Sequence, residues 1–201
     1  MQLIGMMDSA FVRRVAITMH MLGIAFEHLP VSVFSTYERF RAINPVVKAP
    51  TLVCDDGVQL MDSTLIIDYL ETIAGTSLMP SEPGARRRAL RLIGLALVAC
   101  EKTVQCVHER RLRPTEKLYE PWAKRVLQQL VAALEELENA MAEAPLACDA
   151  SIGQDGVTVA VTWRFTQLLV PELIDPAAFP ALRKYSANAE QLPAFIAAPP
   201  L

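Results

Sequence analysis

Apolar positions along this chain keep two different rhythms, and the change falls near residue 80. In the first part, short apolar runs alternate with stretches of helical spacing. Gln2-Leu3-Ile4-Gly5 reads as a strand. Val12, Val15, Ala16, Met19 and Leu22 then recur every three or four residues, the period of one helix face, and Gly23 supplies a stop. Phe26 to Val33 reads as a second strand whose Pro30 suits an edge position. A strand, a helix and a strand in that order predict a parallel pair joined by a right-handed crossover. Thr51-Leu52-Val53-Cys54 and Val58-Gln59-Leu60 flank Asp55-Asp56-Gly57, a hairpin signature. Ile66, Tyr69, Leu70 and Ile73 fall on one face of a helix that ends at Gly75. The predicted order is β-α-β, a short helical connection, then β-β-α.

Leu78 to Gly84, with Pro80, Ser81, Glu82 and Pro83, is turn-rich and marks a boundary. The expected organisation is a domain over 1–77, a linker over 78–85 and a second domain over 86–201. Beyond the linker only helical periods appear. Leu127, Leu130, Leu134, Leu137 and Met141 form one stripe of a helix beginning near Pro121. Val157 to Val170 is apolar apart from a few positions such as Arg164, and predicts a helix buried on most sides. Its β-branched residues would also suit a strand, but this half offers no partner strand. Phe179-Pro180 opens a last helix, with proline in the first turn. The fold class expected is therefore α/β followed by all-α.

Composition narrows the class. In 201 residues, 52% are hydrophobic and 20% charged, which excludes intrinsic disorder. The longest apolar run, Leu92 to Cys100, falls far short of the roughly 18 residues that a membrane span needs. The N-terminus lacks the charged and apolar regions of a secretory signal, so a soluble cytoplasmic protein is expected. Nineteen Lys and Arg against 22 Asp and Glu leave a net charge of −3, without the basic excess of a nucleic-acid binder. Arg86-Arg87-Arg88 with Arg91 reads as a solvated helix face. Cys54, Cys100, Cys106 and Cys148 show no metal-type spacing and are expected as free thiols, with no metal.

Candidate chemistry lies in three segments of the first half: Asp8-Ser9-Ala10-Phe11-Val12-Arg13-Arg14, Asn44-Pro45-Val46-Val47-Lys48-Ala49-Pro50-Thr51, and Met61-Asp62-Ser63-Thr64-Leu65-Ile66. Singly, each has a bland account. Ser9 could cap a helix, Pro50 could open a strand, and Asp62 with Ser63 could cap another helix. Together, in this order and spacing, they resemble the glutathione-binding domain of the cytosolic glutathione S-transferases, in particular the serine-type bacterial members. The likeness spans about the first 75 residues, and the second half matches the family's helical domain more loosely.

The resemblance implies a thioredoxin-like N-terminal domain, an all-α C-terminal domain, and a homodimer. It implies glutathione as co-substrate, held by Ser9, Phe11, Lys48, Ala49, Pro50, Asp62 and Ser63. Ala49-Pro50 would be cis and present the Ala49 backbone to the cysteinyl part. Asp62 and Ser63 would take the γ-glutamyl end at a helix N-terminus, where free N–H groups and the dipole favour a carboxylate. Ser9 would be the catalytic residue, donating its hydroxyl to the thiolate. A free thiol ionises near pH 8.5, and lowering that by about two pH units takes about 2.7 kcal/mol of preference for the anion. No Tyr or Cys stands near the first strand to take that role, which separates the chain from the tyrosine and cysteine types.

Two positions depart from the family pattern. Ala10 follows Ser9 where proline is common. The helix near residue 157 lacks the usual Ser/Thr-x-x-Asp capping box: Asp155 is present, but Gly156 weakens the helix start, and Gly156→Asp is expected to restore it. His108 and Arg111, with Arg110 and Arg113 nearby, either meet an acidic second substrate or form a solvated helix end. Met7, Phe11, Phe34, Tyr119 and Trp163 are pocket or core candidates. The function expected is addition of the glutathione thiolate to a small apolar electrophile. The alternatives are glutathione-dependent isomerisation or dehalogenation, or a binding module without catalysis.

Overall fold

A computed structural model describes residues 1–200, and the chain in it divides into two compact units. One comprises residues 1–78 together with the tail from Gln191, and the other residues 79–190. The tail, which the sequence places with the helical half, packs instead on the first unit.

In the first unit, strand β1 (Gln2–Ile4) leads into helix α1 (Ala10–Met21) and strand β2 (Glu27–Leu29). Helix α2 (Tyr37–Ile43), strands β3 (Thr51–Val53) and β4 (Gln59–Met61) and helix α3 (Ser63–Ala74) follow. The four strands lie in the order β2-β1-β3-β4. β1 runs parallel to β2, with Leu3 opposite His28, and antiparallel to β3, with Leu3 opposite Leu52. β2 is an edge strand and stops one residue before Pro30, which has no N–H to give a ladder. The β3–β4 hairpin closes where Gly57 N–H donates to the Cys54 carbonyl at 2.9 Å. Gly57 has φ +86°, so its lack of a side chain fits the turn.

Every residue from Val12 to Met19 is buried, including Arg13 and Arg14, which makes α1 the spine of this unit. Ile4, Val31 and Phe40 form a core cluster beneath the α2 side of the sheet, with Val47 and Ala49 packed against it. Arg13 fastens the tail. Its Nε donates to the Ala198 carbonyl at 2.7 Å, and its guanidinium lies 5.6 Å from the ring centre of Phe195 in helix α8 (Pro193–Ile196). This pairing of distant residues explains why the tail departs from the sequence boundary.

In the second unit, helix α4 (Pro83–Val107) starts within the expected linker, capped by the Glu82 carboxylate on the N–H groups of Gly84 and Ala85. A π-helical turn (His108–Leu112) ends it. Helices α5 (Glu120–Glu143), α6 (Gln154–Leu169) and α7 (Pro180–Ala189) follow. The β-branched run at the start of α6 is helical. Thr158 and Thr162 donate to the carbonyls of Gln154 and Thr158, each at 2.7 Å, which ties those side chains to the helix itself. Along the α4 face, Thr162 Oγ1 meets Cys100 Sγ at 3.2 Å and Thr166 Oγ1 meets Thr103 Oγ1 at 3.0 Å. These bonds satisfy hydroxyls that would otherwise be costly to bury.

The start of α6 differs from expectation. The helix begins at Gln154, before Gly156, and Asp155 accepts the Gly156 N–H at 2.9 Å. A Cβ on Gly156 would stand 2.3 Å from the Tyr185 hydroxyl and 2.8 Å from Ile152 Cγ1. The glycine is a point of close packing, so Gly156→Asp would collide there and cannot restore the helix start. α3 also differs: Ile66, Ile67 and Leu70 face the interior, while Tyr69 and Ile73 are exposed. No helix among the described residues is long and apolar enough to cross a membrane.

Candidate functional site

Ser9 stands at the turn from β1 into α1. Its carbonyl accepts the first intrahelical bond, from Arg13 N–H at 2.9 Å, and its backbone is extended, yet its side chain makes no capping bond. The bland account of Ser9 as a cap therefore fails, and a half-exposed hydroxyl remains at the N-terminus of a helix whose dipole favours an anion. Gly5 sets this turn. It has φ +141°, and a Cβ there would stand 2.5 Å from Val12 Cγ2 and 3.4 Å from Ala49 Cβ. Its bare backbone lets α1 and the Ala49 loop approach the end of β1. Its neighbour Met7 is buried core and Phe11 half-buried.

The Asn44–Thr51 loop is organised by Asn44, to which the sequence reading assigned no role. Its side chain is buried, donates through Nδ2 to Thr51 Oγ1 at 2.8 Å and accepts the Val46 N–H at 3.0 Å. Thr51 Oγ1 in turn donates to the Lys48 carbonyl at 2.7 Å. Val47 is held at φ +53°, a region that β-branched residues rarely enter. Lys48 is exposed, Ala49 half-buried and Pro50 buried, and the Ala49–Pro50 bond is cis. An Asn-Pro pair was the available sign of this loop.

Asp62 caps α3, accepting the Thr64 N–H at 2.8 Å, with its own φ at +70°. That conformation is strained for a residue with a side chain, and such strain gathers at ligand-binding positions. Ser63 and Thr64 follow in the first turn. Arg14 of α1 donates through one nitrogen to both hydroxyls, at 3.1 Å each. The sequence reading missed Arg14 because a charged residue in an apolar helix face reads as exposed.

Three of the four thiols are held away from the thiolate form. Burial, first among the causes, pushes Cys54, Cys106 and Cys148 above the ordinary thiol value, so they stay protonated near neutral pH.

Other candidates lie in the second unit. Trp163 is core, its ring 5.6 Å from that of Phe179, whereas Tyr119 is exposed. His108 opens the π-helical turn and is exposed. Arg111 pairs with Glu172 at 3.5 Å, and Arg113 with Glu109 at 2.7 and 2.8 Å. Phe34 of the first unit is exposed.

A thioredoxin-like sheet with a serine at the first strand-to-helix turn, followed by a helical part, defines the class of architecture. Residues 3–78 match the family model "Glutathione S-transferase, N-terminal domain". The uncharacterized GST-like protein YibF of Escherichia coli K12 is 27% identical over 150 residues, covering 74% of each chain. A glutathione transferase family member from Pseudomonas fluorescens Pf-5 with bound glutathione is 28% identical, with TM-score 0.85, over 100% of this chain and 98% of that one. A maleylacetoacetate isomerase from Methylobacterium extorquens AM1 with bound malonate and glutathione is also 28% identical, with TM-score 0.77, over 100% and 97%. Over residues 3–78 the chain matches the glutathione-binding domain of the glutathione S-transferase family, and along its length it is similar to structures of that family.

Proposed function

We propose that the protein binds glutathione in its first unit and uses the bound thiolate to attack a small electrophile. One observation carries this reading: Ser9 sits at the N-terminus of α1 with a hydroxyl not spent on capping the helix. A hydroxyl donating to sulfur, with helix N–H groups beside it, stabilises a thiolate over a thiol. In this reading Phe11 and Lys48 flank the tripeptide, and Ala49 and Pro50 offer backbone to its cysteinyl part. Asp62 and Ser63 take the γ-glutamyl end. Support for the ligand comes from the Pseudomonas fluorescens relative, whose structure holds glutathione.

The test is Ser9→Ala. Ultraviolet titration of bound glutathione is expected to show the thiol ionising about one to two pH units higher, with turnover falling about tenfold to a hundredfold and binding retained. An unchanged ionisation and rate would remove Ser9 from the mechanism.

A second reaction keeps specific support. The isomerase relative holds malonate, a dicarboxylate, beside glutathione, and this chain carries exposed Arg110 and Arg111 at the end of α4. Glutathione-dependent isomerisation of an unsaturated diacid would use the same thiolate, adding and leaving without net transfer. Assaying a halonitroaromatic, an alkyl halide and a cis-unsaturated diacid separates transfer, dehalogenation and isomerisation. Glutathione binding without turnover of any would mark a binding module.

We also propose a cytoplasmic homodimer. Leu65, Tyr69 and Ile73 line one exposed face of α3 at helical spacing, beside its buried face, and a second copy would cover them.

A further inference from the structure

We propose that His28 is a positioning residue for the serine turn: its imidazole holds the Gly5 carbonyl, and through it the Met6–Ser9 turn that aims the Ser9 hydroxyl. This rests on the reading above in which Ser9 donates to the glutathione sulfur.

The ladder between β1 and β2 ends at Ile4 opposite Leu29. Gly5, one step further, still donates its N–H to the Leu29 carbonyl at 3.1 Å. In a parallel pair the Gly5 carbonyl would next accept from Val31, the residue beyond Pro30. The Val31 N–H instead turns back onto the Leu29 carbonyl at 2.9 Å. A side chain takes its place: His28 Nε2 lies 2.8 Å from the Gly5 oxygen. A carbonyl only accepts, so Nε2 carries the proton, and the bond holds with the ring neutral or charged. His28 is half-buried, which shields the bond from competing water.

What this bond fixes is the start of the turn. The Gly5 carbonyl and the Met6 N–H belong to one planar peptide unit, so holding the carbonyl sets the direction in which Met6 leaves. Gly5 supplies little restraint of its own, because at φ +141° it lacks the side chain that limits other residues. Ser9 N–H then closes the turn on the Met6 carbonyl at 3.1 Å, and α1 begins at Ala10. The Ser9 hydroxyl makes no capping bond, so its aim follows the backbone of this turn. A small loss of aim weakens a hydroxyl–sulfur bond while the fold survives.

The test reads the ionisation of bound glutathione by ultraviolet titration. Affinity is read by calorimetry at about pH 5, where a thiol is largely protonated. His28→Leu keeps much of the bulk and removes the donor. It is expected to raise the pH at which the bound thiol ionises by about half to one pH unit, threefold to tenfold in the equilibrium. Affinity at the lower pH is expected to stay within about twofold of the parent's. His28→Gln, whose amide N–H can replace that of Nε2, is expected to restore the parent's ionisation. In a Ser9→Ala background His28→Leu is expected to add nothing, because its effect passes through Ser9. Unchanged ionisation in His28→Leu overturns the proposal, and so does an equal rise in His28→Gln. A rise undiminished in the Ser9→Ala background overturns it too, since that marks a general loosening. If His28→Leu does not fold, His28→Ala is read by the same criteria, and failure of both to fold makes His28 structural and overturns the proposal. Failure of the underlying reading shows without any change at His28. Ser9→Ala alone would then ionise bound glutathione as the parent does, or the parent would not bind glutathione.

Discussion

Gly156 shows how a single residue carries two opposite meanings. As a helix residue it is a weakness, since replacing an interior glycine with alanine ordinarily stabilises by about 0.5–1 kcal/mol. Here the sign reverses, because the Cβ would lie 2.3 Å from the Tyr185 hydroxyl, which itself donates to the Ala147 carbonyl at 2.9 Å. Gly156→Ala is expected to cost about 1–3 kcal/mol through overpacking, seen as a Tm lower by several degrees. A raised Tm would show that Tyr185 yields easily. Ser9 makes the complementary point. Its residue type suits a cap, and only the structure shows a hydroxyl engaged in none. Asn44 and Arg14 are polar residues whose task comes from burial, 1% and 2% exposed, and burial is not written in their local sequence.

At the scale of elements, local chemistry and neighbours share control. The Asp-Gly hairpin, the left-handed Gly75 ending α3 and Pro180 opening α7 were legible because each depends on a few adjacent residues. The N-terminus of α7 nevertheless takes its cap from α5: Glu138 accepts the N–H groups of Ala181 and Leu182 at 2.7 and 2.9 Å. The end of α4 is held within itself, by Glu109 and Arg113 four residues apart across the π-helical turn. The hydrogen bonds from Arg113 hold the Glu109 carboxyl below the ordinary glutamate range. A carboxyl lowered on folding stabilises above its unfolded pKa, about 4.3, and loses that stabilisation as pH falls through its folded value. Glu109→Gln is therefore expected to lower Tm at pH 7, with the gap from the parent closing below about pH 4. A gap that stays constant down to pH 3 would assign the effect to packing rather than charge.

For the whole molecule, the high apolar content has several destinations. Much of it fills α6, buried on nearly every side from Gln154 to Trp163, and α1, buried from Val12 to Met19. Some of it remains outside: Leu65, Tyr69 and Ile73 are 65%, 37% and 47% exposed. If a second copy covers that stripe, Ile73→Glu should lower the sedimenting mass from dimer to monomer at micromolar concentration. It should leave the circular dichroism spectrum unchanged, because Ile73 lies outside the buried face of α3. A parent protein that sediments as a monomer would reject the homodimer. By itself the sequence determined the order of strands and helices and the turn residues between them, and its resemblance to a family implied the cis form of the Ala49–Pro50 bond. Those features rest on periodicity and short-range backbone chemistry, which neighbouring residues settle among themselves. Tertiary structure alone decided that the tail joins the first unit through Arg13, that Gly156 is a packing contact, and that Arg14 lies under Ser63 and Thr64. Each of these joins residues tens of positions apart, and only the folded chain sets the distances on which their energies depend.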